Sequence, residues 1–84
     1  MKRFDILCTA TLEDDPNVIV DTVYEATIEI SEDGDIKENI KAALISIGLI
    51  EENDNVIIEE GQYKDDFWAY DDQGIFAVID PIIE

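Results

Sequence analysis

Residues 4–12 alternate strictly, with Phe4, Ile6, Cys8, Ala10 and Leu12 on one side and Asp5, Leu7, Thr9 and Thr11 on the other. Residues 18–30 repeat the pattern, setting Val18, Val20, Tyr24, Ala26, Ile28 and Ile30 against Asp21, Val23, Glu25, Thr27 and Glu29. A period of two over this length predicts two strands, each with one face on a core. The intervening "EDDPN" has turn chemistry in Pro16 and Asn17. Pairing Leu12 with Val18 puts even positions opposite even positions along the whole hairpin. Both apolar rows then share a face, and Asp5 lies opposite Glu25, a like-charge pair that costs stability.

The period changes in "DIKENIKAALISIG", residues 35–48. Ile36, Ile40, Ala43, Leu44 and Ile47 form one apolar stripe of a helix, with Lys37 and Lys41 on its outward side. Asp35 followed by Glu38 resembles a capping box, and Gly48 suits a left-handed terminus. "NVIIEEG", "FWAY" and "IFAVID" then read as three short strands, the last two joined by the turn "DDQG". Pro81 suits a strand end or edge. The order β-β-α-β-β-β predicts an α+β fold: a mostly antiparallel sheet with one helix packed on one face, forming a single compact domain over residues 1–84.

Composition leaves the fold unchanged but redirects the question of function. Hydrophobic residues make up 46% of the chain, enough for one modest core. Against this stand 22 acidic and 5 basic residues, a formal charge of -17. Roughly 2–8 charges keep a small domain soluble, and a larger excess repels itself. A partner with a basic surface would account for the excess, as would adaptation to high salt or a tolerant acidic surface. The same field disfavours direct contact with nucleic acid or an anionic membrane. A lone cysteine, the lack of an opening secretory pattern and the absence of a long apolar run favour a cytoplasmic setting.

Catalytic and metal chemistry find little support. The chain has no histidine, and its one cysteine, Cys8, belongs to the apolar row of a strand. Calcium-loop spacing fails in both acidic loops: a loop opening at Asp33 puts Lys37 and Glu38 at its fifth and sixth positions. One opening at Glu51 puts Val56 where glycine is needed and Gln62 where glutamate is. Neighbouring aspartates at 14–15, 65–66 and 71–72 have no cleft predicted around them, so they do not form an acid–base pair. The chain therefore reads as a non-enzyme without cofactor or metal.

The segment "QYKDDFWAYDDQG", residues 62–74, is the most distinctive. Phe67 and Ala69 share one strand face and Trp68 and Tyr70 the other. One pair must enter the core. The other either anchors an interface among the flanking aspartates or covers the sheet beneath the "DPIIE" tail.

Small size, extreme acidity, an α+β pattern and absent catalytic residues together resemble phage-encoded inhibitors of nucleic-acid-handling enzymes. That class includes anti-CRISPR proteins, anti-restriction proteins and the uracil-DNA glycosylase inhibitor. The likeness is one of physical character and carries no diagnostic motif. It implies an inhibitor whose carboxylates stand where phosphates would in the basic channel of a nucleic-acid-binding protein. The expected contacts are Asp21, Glu25, Glu29, Asp65, Asp66, Asp71 and Asp72, with Trp68 and Tyr70 as anchors, on a monomer or homodimer. An antitoxin or immunity protein against a basic toxin would use the same chemistry, and an acidic structural domain would use none of it.

Overall fold

A computed structural model describes residues 1–63 and 65–82. Its elements are β1 (Lys2–Thr11), β2 (Ile19–Ile30), α1 (Ile36–Ser46), β3 (Ile57–Glu60), β4 (Phe67–Asp71) and β5 (Gly74–Pro81). The strands form one antiparallel sheet in the order β2-β1-β5-β4-β3, with α1 on one face. This is the α+β architecture that the two periodicities predict. The connection from β2 to β3 runs from one sheet edge to the other and carries α1 across that face.

The core lies between α1 and the sheet. Phe4 and Ile6 of β1, Phe67 and Ala69 of β4, and Ala77 and Ile79 of β5 meet Ile40 and Leu44 of α1. Phe4 and Phe67 pack edge-on, their ring centres 6.4 Å apart. Ile36 and Ala43 are partly buried beside them, whereas Ile47, at the far end of the stripe, is exposed. Lys37 and Lys41 do not stand clear of the body as the stripe suggested. Both are half-buried and line a groove between α1 and β3 with Val56, Ile57 and Ile58.

Asp35 begins the helix in extended geometry and accepts a bond from the Lys37 backbone N–H at 3.0 Å. That satisfies a donor which has no partner within the helix. Replacing Asp35 with alanine is expected to cost about 1 kcal/mol of stability, measurable as a lower urea midpoint at unchanged slope. Asn39 fastens the preceding loop, its amide donating to the Ser31 and Asp33 carbonyls at 2.9 Å each.

The first hairpin departs from the simple register. Near the turn, the Leu12 N–H donates to the Val18 carbonyl and Thr11 pairs with Ile19, as expected. Val20 is then an extra residue, since Ala10 pairs with Asp21, and Glu25 is a second, since Leu7 pairs with Tyr24 and Ile6 with Ala26. Each bulge moves the following residues to the opposite face. Asp5 consequently lies opposite Thr27, not Glu25, which relieves the like-charge pair. Tyr24 joins the Leu7 side, and Val23 joins the Cys8 side.

The tip of the hairpin is clasped to the β4–β5 turn. The Ile75 N–H donates to the Pro16 carbonyl at 3.2 Å, and the Thr9 hydroxyl donates to the Ile75 carbonyl at 3.0 Å.

Candidate functional site

With α1 on one face, the opposite sheet face has no covering layer among the described residues. Ile83 and Glu84 of the tail lie outside those residues. Phe67 and Ala69 go to the helix side, so Trp68 and Tyr70 point outward. Cross-strand pairing builds the face in rows. One row runs through all five strands: Tyr24, Leu7, Val78, Trp68 and Glu59. A second sets Tyr70 between Ile57 and Ile75. The Trp68 and Tyr70 rings lie 6.4 Å apart, centre to centre, and both are half-buried. Val78 and Ile75 are buried beside them, whereas Tyr24 and Ile57 are 59% and 55% exposed. The result is an apolar, aromatic band open to solvent at both ends.

Carboxylates rim this band. Asp5 of β1 pairs directly with Asp80 of β5, Glu29 sits opposite Arg3, and Glu59 opposite Trp68. The Thr27 hydroxyl donates to Asp5 at 2.8 Å and lies 2.9 Å from the Tyr24 hydroxyl. Thr27 has a single hydrogen to give, so Tyr24 is the donor to Thr27. This chain fixes one edge of the band. Burial pushes the Asp80 carboxyl above its ordinary value, and the nearby charges of Asp66 and Asp5 push it further. The Tyr70 phenol is also raised, by burial first and then by Glu59, so it stays protonated at neutral pH.

The residues expected to form the contact surface divide into four places. Trp68, Tyr70 and Glu29 gather on the outer face. Asp21 and Glu25 do not, because the bulges turn them to the helix side. Asp21 lies opposite Ala10 and accepts from the Thr22 N–H, and Glu25 accepts a weak S–H contact from Cys8 at 3.8 Å. Burial and then Glu25 raise the Cys8 thiol, which keeps its thiolate fraction low.

Asp65 and Asp66 belong to the β3–β4 connection. Asp65 adopts a left-handed backbone (φ 65°) and lies 3.5 Å from the Lys2 ammonium. Asp66 is only 3% exposed and cannot serve as a surface phosphate substitute. Its carboxylate accepts from the Tyr63 N–H, and a side chain on Gly61 would come within 2.6 Å of it. Asp71 and Asp72 occupy the β4–β5 turn at the end of the sheet. They line an open cleft of about 460 Å³ with Asn53, Asp54 and Asn55, and Asp71 accepts from the Gln73 N–H.

Asp80, Glu59, Leu7, Val78 and Tyr24 complete the surface without having been read from the sequence as contacts. Alternation along "IFAVID" does set Val78 and Asp80 on one side, a signal that only the outward orientation of β5 converts into a surface. Tyr24 was hidden by the bulge.

Among the described residues, no group of three or more Cys, Asp or Glu side chains is arranged to hold a metal ion, and no helix is long and apolar enough to cross a membrane. Comparison with protein-family models, with curated proteins and with solved structures finds no match.

Proposed function

We propose that this chain is a non-enzymatic inhibitor that binds the basic nucleic-acid-binding surface of a nuclease, CRISPR effector or related protein. The supporting observation is the outer sheet face: an aromatic band with no covering layer among the described residues, rimmed by carboxylates, on a chain of formal charge -17. Aromatic side chains in a partly desolvated band are the usual anchors of an interface, and a rim in which Asp5, Asp80, Glu29 and Glu59 outnumber Arg3 favours a partner of opposite sign. Asp5, Asp80, Glu29 and Glu59 stand in for backbone phosphates around Trp68 and Tyr70. The work is done in the cytoplasm, where a single free thiol such as Cys8 persists.

The test is capture of purified nucleases, restriction enzymes and CRISPR effectors on the immobilised chain, with duplex DNA or RNA as competitor. A bound enzyme should be displaced by nucleic acid and should weaken steeply between low and physiological salt. Trp68→Ala should weaken capture by about tenfold or more, while Asp72→Asn, away from the band, should change it little. Capture of none of these enzymes at low salt would reject the reading. Equal capture by Trp68→Ala would reject the outer face as the contact.

A further inference from the structure

We infer that the outer face carries a proton-linked regulator: Asp80, held between Asp5 and Asp66, takes up a proton as the solution is acidified and thereby removes a negative charge from the rim of the Trp68 face. The geometry comes from strand pairing. Asp80 of β5 lies directly opposite Asp5 of β1 on one side. On the other, Phe67 pairs with Ile79, which brings the buried carboxylate of Asp66 toward Asp80. Asp80 is itself half-buried.

On β1, Asp5 and Arg3 occupy neighbouring outward positions; on β2, Thr27 is uncharged and bound to Asp5, and Glu29 lies opposite Arg3. From the β4 side come Asp66 and Trp68, while Asp65 is paired with Lys2. On β5 the outward neighbour toward the sheet centre is Val78. Helix α1, with Lys37 and Lys41, lies on the opposite face. Partial burial first, then the charges of Asp66 and Asp5, therefore act together against the ionised form of Asp80 and raise its proton affinity.

A carboxyl that binds its proton more tightly in the folded chain than in the unfolded one destabilises the fold when ionised. That cost is fully present above the folded-state midpoint, shrinks as pH falls through it, and is gone below the unfolded value. If the outer face binds a basic surface, as proposed above, the same protonation weakens docking. Only this consequence rests on that reading.

The proton linkage itself is measured on the free protein, so its failure and that of the docking proposal are distinguishable. Carbon-13 carboxyl resonances of the full chain are followed by NMR from pH 7 to pH 3, together with the indole N–H of Trp68. The Asp80 midpoint should lie above the ordinary aspartate value of about 3.9, and the Trp68 resonance should shift with the same midpoint. Asp5→Asn should lower the Asp80 midpoint, and Asp80→Asn should abolish that step at Trp68. Asp80→Asn should also be more stable than the parent at pH 7, with the difference closing toward pH 4, as read by urea unfolding. An Asp80 midpoint at or below the ordinary value would overturn the inference. So would a midpoint indifferent to Asp5→Asn in a variant whose circular dichroism shows it folded, or a Trp68 resonance flat through the Asp80 step.

Discussion

Replacing Leu44 with alanine should destabilise the protein by about 3 kcal/mol, within the usual 2–5 kcal/mol for emptying a buried leucine position. Leu44 is completely buried, one turn from the equally buried Ile40, on the helix face that closes the core over β1, β4 and β5. The loss combines the transfer free energy of the missing carbons with the cavity left beneath the helix. A domain of this size has stability near the lower end of the common range, about 5 kcal/mol, so the variant should begin to unfold at low urea. Leu44→Met, which keeps the volume, should cost less than about 1.5 kcal/mol. Urea unfolding followed by Trp68 fluorescence measures both. Equal midpoints for the two variants would show that the helix does not seal the core as described.

Alanine at position 74 should be nearly as damaging, at about 3 kcal/mol from backbone strain and overpacking together. Gly74 has φ +114°, a conformation that side-chain-bearing residues rarely adopt, and a Cβ there would lie 2.5 Å from the Pro16 Cβ and 2.7 Å from its carbonyl oxygen. Pro16 cannot retreat without giving up the bond that its carbonyl accepts from Ile75. Gly34→Ala is the control: its φ is also positive, at +78°, but nothing lies within 4 Å of the added carbon. It should cost only about 1 kcal/mol. Hydrogen exchange should show amides of residues 12–18 losing protection in Gly74→Ala and keeping it in Gly34→Ala. Similar losses in the two variants would mean that the Pro16 contact contributes nothing.

Much of the architecture was legible because helix and strand periods differ so clearly here. The stripe through Ile36, Ile40, Ala43 and Leu44 located the helix, and Asp35 and Gly48 bracketed it. The hairpin register was only half legible. From the Val20 bulge to the Glu25 bulge, β2 carries apolar side chains on both sides, Val20, Val23 and Tyr24 among them, and all three are exposed. Without a buried row to enforce it, alternation there carries no register. The inner half, where Ile28 and Ile30 meet the core, was read correctly as core-facing.

The candidate surface was legible at Trp68 and Tyr70 but not around them. Alternation showed that one of two pairs faces out, and the smaller Phe67–Ala69 pair fits beneath the helix. Acids counted by sequence proximity were a poor guide. Asp65, Asp66, Asp71 and Asp72 flank the aromatics in the chain, yet the carboxylates that flank the band in space come from β1, β2, β3 and β5. Strand pairing brings those together, and no local pattern encodes it.

The strand order also constrains how the chain reaches its native state. The sheet centre is the pairing of β1 with β5, joining residues 4–8 to residues 77–81. A nascent chain that has made everything up to β4 still lacks the strand between β1 and β4, so two half-sheets wait with unpaired edges. Such edges are prone to join those of other molecules. The same acidity that burdens the finished fold keeps these waiting chains apart, so neutralising many surface carboxylates at once should raise equilibrium stability yet lower the yield of soluble protein during synthesis.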